Sequence, residues 1–405
     1  MSLLGRWPIT LPLVLAVLSG CGSAAAPAGS PSTAASPATA PKAAASTAPS
    51  SLVAASKTAA SAAGSAAPAS AAASAKPNLA PLGPAVKVRV SSMGLSGEAG
   101  TFIALDRGYF KEEGLDVEIV PGLFGTSLLG ALVSGDVELG SMALDVSAIN
   151  AVSRNVDERI VAPLTFTPPG DKNASILIRK DLVDSGKYKE PKDMKGMTIA
   201  AGPVANTSAQ YFTEQALAKG GLKAADVQFV TMGFPDELAA LANKKVDAGW
   251  EVEPLSTAAE DQGFAKEVLW SGELFPNYDP FLLVSSPKFK QAQPEALNRF
   301  VTAHLRGQRD YYAAFVKSQA DASQKASIID ILTKHTTVKD AKVWNELADK
   351  GRMQSVEPNG QLHPQGFDQL QDFFIRVGTQ KERIDISNVI DNGPMQYALQ
   401  RLGRM

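Results

Sequence analysis

Two stretches of the chain follow the same pattern: ALVSGDVELGSM, which begins at Ala131, and ALANKKVDAGWEV, which begins at Ala240. Each passes from small and apolar residues through a polar break into valine, an acidic residue, an apolar residue and glycine. Strand-like segments in and before the two stretches keep an offset of 110 or 109 positions: Val88 to Thr198, Val117 to Val227, Val137 to Val246. The offset indicates an internal repeat, although any two α/β units share part of this pattern. Whether the units are repeated or merely alike, the chain is predicted to build two α/β lobes in tandem.

Each copy alternates strand-like with helix-like segments. In the first copy, the strands VKVRV, LDVEIV and DVELGSM are separated by TFIALDRG and GTSLLGALVSG, which have helical spacing. In the second copy, TIAAG, VQFVTM and VDAGWEV alternate with helical segments in the same way. This order favours parallel sheets that are covered by helices on both faces.

The first 85 residues differ from the rest. Residues 1–20 have the pattern of an export signal, with Arg6 before an apolar core, Trp7 to Leu18, that is too short to span a membrane. The core ends in LSGC, which resembles the bacterial lipoprotein signal, in which the peptide is cut before the cysteine and the cysteine then carries lipid. Cys21 is the only cysteine in the 405 residues, so it is the predicted lipid anchor. The alternative is an ordinary signal peptide followed by a chance cysteine.

Residues 21–85 are mostly Ala, Ser, Pro, Thr and Gly, with almost no large apolar side chains. Such a segment cannot bury enough surface to fold, so we interpret it as a disordered tether. The net charge of −2 gives no electrostatic reason to expect a nucleic-acid partner. The folded part is expected to begin near Val86.

The strands ASILIRK and PFLLVSS are each expected at an edge of the second unit, as paired connectors through which the chain enters and leaves that lobe. After Pro287 the sequence is almost all helical, and these helices are expected to pack back on the first lobe. The predicted division is therefore 86–179 and 282–405 for the first lobe, and 180–281 for the second lobe.

In parallel α/β sheets, ligands bind outside the carboxyl ends of the strands. Two lobes that face each other would form a cleft from two such edges, so the loops that follow the strands supply the candidate ligand-binding residues. These candidates are Ser91, Ser92, Met93, Thr126, Ser127, Asp145, Asn206, Thr207, Ser208, Trp250, Glu251 and Glu253.

Two chemistries are represented among these candidates. The helix starts that contain GTS and NTS offer unpaired backbone N–H groups to an anion. The alternative is that the Thr and Ser side chains of these two segments only cap their own helices. Glu251 and Glu253 alternate along GWEVEP, so they are expected to point the same way and to accept hydrogen bonds from amino or hydroxyl groups. The alternative is that Glu251 and Glu253 are surface charges at the edge of a lobe. Trp250 can either stack on a ligand ring or fill the core.

Four segments in this order, GYFKEEGLDVEIVP, ALVSGDVELGSM, DMKGMTIAAG and VDAGWEVEPL, resemble the periplasmic binding proteins of the sulfonate, taurine, nitrate and thiamine-pyrimidine importers. The resemblance spans roughly Val86 to Met405. It implies a type II two-lobed fold with a discontinuous first lobe, which closes on its solute and delivers it to an ABC permease. Together with the lipoprotein signal at Cys21, it predicts an extracytoplasmic, membrane-anchored monomer that needs no cofactor or metal.

A related branch of that family contains a pyrimidine synthase that uses its own histidine and a cysteine cluster. Here the predicted folded part has no cysteine, and its histidines, His304, His335 and His363, lie in the C-terminal helical region, away from the predicted cleft. We therefore expect a binding protein and not an enzyme. The alternatives are a sensor subunit for a membrane receptor and an acid/base enzyme that uses Asp145, Glu251 or Glu253.

Overall fold

The computed structural model describes residues 80–123, 125–143, 146, 159–202 and 205–405. All of these belong to one unit, Ala73–Met405. The export signal, Cys21, nearly all of the predicted tether and Asp145 lie outside the described residues. In the described part, no helix is long and apolar enough to cross a membrane.

The first sheet has five strands in the order β2-β1-β3-β10-β4. β1, β2 and β3 are parallel, and β10 runs antiparallel to both β3 and β4. The strands are β1 (Val86–Ser92), β2 (Leu115–Pro121), β3 (Leu139–Ala143), β4 (Arg159–Pro163) and β10 (Phe281–Ser285).

The second sheet repeats this arrangement in the order β7-β6-β8-β5-β9. β6, β7 and β8 are parallel, and β5 is the antiparallel strand between β8 and β9. The strands are β5 (Ala174–Arg179), β6 (Thr198–Ala200), β7 (Gln228–Val230), β8 (Ala248–Val252) and β9 (Ala265–Trp270).

The strand register confirms the predicted tandem repeat. Val90 of β1 pairs with Leu139 of β3, and Ile199 of β6 pairs with Ala248 of β8. Both members of the second pair follow those of the first by 109 positions, which for β1 and β6 is one fewer than the 110 at which Val88 was aligned with Thr198.

The acidic residue of each repeated phrase joins two strands at their start. The Glu138 carboxylate accepts a hydrogen bond from the N–H of Arg89 at 2.6 Å, and the Glu138 N–H donates to the Arg89 carbonyl at 2.9 Å. Asp247 makes the same two contacts with Thr198, at 3.0 and 2.8 Å. Each acid also pairs with an arginine, Arg89 at 2.7 Å and Arg179 at 3.0 Å. The repeated phrase therefore holds the parallel strands in register.

The glycine of each phrase makes room for the preceding helix. A Cβ atom at Gly140 would overlap the side chain of Leu128, and a Cβ atom at Gly249 would overlap the side chain of Glu237. The two glycines therefore allow the same close approach of a helix to a sheet in both copies.

The prediction that ASILIRK and PFLLVSS are paired connector strands at the edges of the second unit is wrong. β5 lies inside the second sheet and β10 lies inside the first, and neither pairs with the other. Ile176, Leu177 and Ile178 of β5 are fully buried, so this strand needs cover on both faces, which an edge connector would not have. The chain instead crosses between the sheets in residues 164–173 and 271–280. These two crossing segments meet where the Thr167 N–H donates to the Tyr278 carbonyl at 2.8 Å.

Helices cover the sheets and fill the C-terminal part as predicted. Those that precede β10 are α1 (Ala99–Asp106), α2 (Tyr109–Glu112), α3 (Gly125–Ser134), α4 (Lys180–Asp184), α5 (Ser208–Lys219), α6 (Phe234–Ala242), α7 (Leu255–Asp261) and α8 (Ser271–Leu274). Those that follow it are α9 (Pro287–Ala292), α10 (Pro294–Tyr311), α11 (Ala322–His335), α12 (Ala341–Asp349), α13 (Pro364–Arg376) and α14 (Gly393–Leu402).

The C-terminal helices do not all pack on the first lobe. The predicted apolar stripe of α10, which includes Leu297, Phe300 and Val301, is buried against the first sheet and its helices, as expected. By contrast, α13 packs on α5 of the second lobe, where the rings of Phe373 and Tyr211 lie 5.4 Å apart. The C-terminal region therefore contacts both lobes.

Candidate functional site

At the edge of the first sheet, the predicted serines are engaged with protein groups. Ser91 donates to the carbonyl of Leu123 at 2.9 Å, and Ser92 donates to the carboxylate of Glu98 at 2.9 Å. Ser141 of β3 also donates to Glu98. Burial raises the pKa of Glu98, and these hydrogen bonds oppose the rise. Glu98, which organises this edge, was not among the residues predicted from the sequence.

The backbone after β1 closes around the same carboxylate. The N–H of Met93 donates to Glu98 at 3.2 Å, and the N–H of Leu95 donates to it at 3.0 Å. Met93 itself is half-buried. Thr126 and Ser127 lie exposed in the first turn of α3, which agrees with their predicted place at a helix start.

At the edge of the second sheet, the NTS segment begins α5. Asn206 has a left-handed backbone, with φ of 60°, and its N–H donates to the Gln210 side chain at 2.9 Å. Thr207 occupies the N-cap position, but its side chain makes no capping hydrogen bond. Its Oγ1 is buried and has no hydrogen-bond partner among the described residues. Ser208 is half-buried at the first position of the helix.

Trp250 is a core residue. Its ring stacks on Phe212 at 4.4 Å with 4° between the planes, and only 4% of its surface is exposed. Of the two predicted alternatives for Trp250, filling the core is therefore the one that fits.

Glu251 and Glu253 have different surroundings. Glu253 lies just beyond β8 and accepts hydrogen bonds from the N–H and hydroxyl of Thr257, at 3.1 and 2.9 Å. Arg352 also donates to it at 3.3 Å. Glu251 lies within β8, fully buried, and its carboxyl oxygens have no hydrogen-bond partner among the described residues.

Arg352 connects the C-terminal region to the second lobe. Its guanidinium also donates to Glu267 at 3.0 Å and to Glu260 at 3.4 Å, and it lies 4.8 Å from the centre of the Trp270 ring. Burial raises the pKa of Glu267 to about 8, and the charge of Arg352 opposes the rise. No local pattern in the sequence marks Arg352, because its partners are more than eighty residues away.

Glu237 is a second buried carboxyl that the sequence analysis missed. It lies in the first turn of α6, is fully buried, and has no hydrogen-bond partner for either oxygen among the described residues. Burial raises its pKa to about 10, and the negative charge of Glu251 adds to the rise. The N–H groups of Gly202 and Trp250 oppose the rise without forming well-aligned hydrogen bonds. Burial likewise raises the pKa of Glu251 to about 9.

The histidines show no nucleophile pair within the described residues. His304 is fully buried between Thr101 and Gln308, and burial lowers its pKa to about 4. His363 is not remote from the lobe junction, because it stacks on Phe166 of one crossing segment and contacts Asp279 of the other at 2.9 Å.

Two further features bear on ligand binding. Within the described residues, no group of three or more His, Cys, Asp or Glu side chains is arranged to hold a metal ion. A cavity of about 910 Å³ opens in the C-terminal region, between residues 359–368, 383–392 and 395–404. Of the described candidate residues at the strand ends, none lines this cavity.

Two sheets of the same strand order, joined by two crossing segments, define a two-lobed α/β fold that is also found in solute-binding proteins. The structure is similar to that of a putative periplasmic sulfonate-binding protein, SsuA, from Methylobacillus flagellatus KT, with a TM-score of 0.62 and 19% identity over 79% of this chain and 95% of that chain. It is also similar to the desulfurization enzyme DSZB, with a TM-score of 0.54 and 13% identity over 78% of this chain and 99% of that chain. The fold alone therefore includes both binders and an enzyme.

A family model described as NMT1/THI5 like matches residues 97–314. The match covers more than half of the chain, so the protein belongs to the NMT1/THI5-like family. It is 26% identical over 299 residues to a putative binding protein of Brucella abortus (strain 2308). This alignment covers 71% of this chain and 85% of that protein. It is also 26% identical over 232 residues to the taurine-binding periplasmic protein of Escherichia coli (strain K12), which covers 56% of this chain and 68% of that protein.

Proposed function

We propose that the protein is the extracytoplasmic solute-binding subunit of an ABC importer. Membership of the NMT1/THI5-like family, whose relatives include binding proteins, supports this assignment. The observation that carries it is the 26% identity to a putative binding protein over 71% of this chain. The pair of matching sheets joined by two crossing segments fits this function, because such an arrangement allows the lobes to close on a solute. A solute that contacts both lobes then stabilises the closed state through its higher affinity for that state.

The proposed solute is a small polar organic molecule of the taurine or sulfonate type, or an aminopyrimidine. The helix starts at Thr126 and Thr207 suit an anionic end, and the unpartnered Oγ1 of Thr207 is free to donate a hydrogen bond to it. Glu251 suits an amino end. Taurine carries both ends, which is why it is the first solute to test.

The proposed location is the outer side of a membrane, where lipid on Cys21 anchors the chain and residues 22–79 act as a tether. The protein would function as a monomer that delivers its solute to a permease. Mass spectrometry of the mature N-terminus checks the anchor: a diacylated Cys21 supports it, and an unmodified Cys21 contradicts it. A Cys21→Ser variant should appear in the soluble fraction.

Mass spectrometry of the solute carried through purification is the most direct test of the function. Calorimetry with taurine, alkanesulfonates and aminopyrimidines then measures affinity, and small-angle scattering measures the decrease in radius of gyration on closure. No binding to any of these solutes, and no copurified solute, would contradict the proposal. Chemical conversion of a bound solute by the purified protein would favour an enzyme instead. The resemblance in fold to DSZB is the reason to include that assay.

A further inference from the structure

The internal repeat provides a comparison for the buried carboxyl of Glu237. Glu237 follows Leu128 by the repeat offset of 109 positions, and each side chain packs over the glycine of its own copy, Gly249 or Gly140. In the first copy, the position is filled by a fully buried leucine. The fold therefore needs a side chain of this size here, but it does not need a carboxyl.

The comparison extends to two neighbouring positions. Glu251 follows Met142 by the same 109 positions. Glu251 pairs across the sheet with Ser175 of β5, and Met142 pairs in the equivalent place with Leu282 of β10. Met142 and Leu282 are buried and apolar, whereas Glu251 and Ser175 are fully buried and polar. Three equivalent positions are therefore apolar in one lobe and polar in the other.

The three polar side chains, Glu237, Glu251 and Ser175, have unsatisfied oxygens. Both carboxyl groups and the Ser175 hydroxyl lack a hydrogen-bond partner among the described residues. No positive charge of the described chain contributes to the pKa of Glu237 or Glu251. Burying such groups without partners is unfavourable, so these three polar side chains lower the stability of the folded protein. The first lobe avoids this loss, because its equivalent side chains are apolar.

The polar trio lies close to the ligand-binding edge that the fold predicts. Glu237 is in the first turn of α6, and the N–H groups of Gly202 and Trp250 lie near its carboxyl. Gly202 lies two residues beyond the last residue of β6, at the carboxyl end of a parallel strand, where solutes bind in α/β sheets. Glu251 is the fourth of the five residues of β8, so the trio lies just inside the same edge of the sheet.

We propose that Glu237, Glu251 and Ser175 form a subsite for the protonated amino group of the captured solute. This inference rests on the proposed solute-binding function and adds the chemical class of the group that is recognised. An ammonium group carries three N–H donors, and carboxylate and hydroxyl oxygens are acceptors for them. One ammonium charge balances one carboxylate, so the second carboxyl keeps its proton. Binding at neutral pH should therefore release about one proton to the buffer.

Methylammonium is the probe that tests the subsite, because it carries the ammonium group and little else. On the full mature chain, methylammonium should raise the melting temperature, and tetramethylammonium, which has no N–H donor, should not. Calorimetry in two buffers of different ionisation enthalpy should show release of about one proton per bound methylammonium. No response to methylammonium, an equal response to both cations, or a response to Ca²⁺ alone would overturn the proposal.

Variants that restore the residues of the first lobe provide the second test. The triple variant S175L/E237L/E251M should melt at a higher temperature than the unsubstituted protein without any probe, and it should lose the methylammonium response. If it does not fold, E237Q/E251Q keeps the shape of the site and should weaken methylammonium binding at least about tenfold. Glu118→Gln, on the exposed face of β2, is the control and should change neither property.

These outcomes separate the subsite from the general function. A double glutamine variant that binds methylammonium as the unsubstituted protein does would show that the trio has no ligand. Binding of an amine-free solute, such as a simple alkanesulfonate, without any methylammonium response would overturn the subsite and leave the solute-binding function standing. The absence of any solute binding would instead contradict the proposed function itself.

Discussion

The guanidinium of Arg352 lies 3.3 Å from the carboxylate of Glu253, and it joins a C-terminal segment to the loop that follows β8. Arg352 is 11% exposed in its side chain, and Glu253 is 1% exposed. The pair therefore lies where water screens it little, and removal of Arg352 leaves the buried carboxyl of Glu253 without its cation.

Replacing Arg352 with glutamine should lower the free energy of unfolding by about 3 kcal/mol, because Glu253 and Glu267 lose their buried partner. Urea unfolding followed by circular dichroism measures the change. Lys350→Gln is the matched control, since Lys350 pairs with Asp261 and Glu346 at the surface and should contribute less than about 1 kcal/mol. Equal effects of the two substitutions would show that Arg352 is no more important than a surface charge.

Gly140→Ala should destabilise the protein by roughly 1–3 kcal/mol, because its Cβ would overlap the fully buried Leu128. Gly130→Ala, within α3, has open space around it and should stabilise the protein by roughly 0.5–1 kcal/mol. Thermal unfolding of the two variants should therefore shift in opposite directions. A neutral Gly140→Ala would mean that the close packing of α3 on β3 is not a requirement.

The arrangement of the two sheets could be predicted from the sequence only in part. The spacing of the repeated phrases predicted two α/β units, because strand period, helix period and offset are all local patterns. The placement of β5 and β10 could not be predicted, since an apolar strand carries no mark of the sheet that it joins. Local sequence patterns therefore predict the two α/β units, whereas the sheet that β5 or β10 joins depends on long-range strand pairing.

The candidate site was predictable only in part. Thr207 was a candidate because it lies in a loop after a strand, and Glu251 because it lies at the end of one. Trp250 was correctly given a core alternative. Glu237 was missed because a glutamate near the start of a helix normally faces water. The available signal was its alignment with Leu128 at the repeat offset. Arg352 was missed because nothing near it in the sequence shows its distant acidic partners.

The buried carboxyls of Glu237 and Glu251 should make stability fall as pH rises. Burial raises their pKa values to about 10 and about 9, so the folded state holds protons that the unfolded state releases above about pH 4.5. Between about pH 5 and pH 8, each group should reduce the free energy of unfolding by up to about 1.4 kcal/mol per pH unit. Urea unfolding of E237Q/E251Q should show a flatter pH profile, and parallel profiles would contradict the prediction.

His363 should also link stability to pH. Contact with Asp279 raises the pKa of His363 above its ordinary value of 6.5, against the opposing effect of burial. A raised histidine pKa contributes stability that is complete below about pH 6.5 and is lost as pH rises through the folded pKa. Unfolding of a His363→Gln variant, followed across this range, should lack that component. A variant that keeps the full pH profile of the unsubstituted protein would assign the profile to other groups.

The position of β10 has a consequence for the order in which the chain can fold during synthesis. The strands of the second sheet lie in one continuous segment, from Ala174 to Trp270. The first sheet lacks a central strand until Ser285 has been made, because β10 fills the place between β3 and β4. A chain that emerges from its N-terminus can therefore complete its second sheet before its first, the reverse of the order in which the two are encoded.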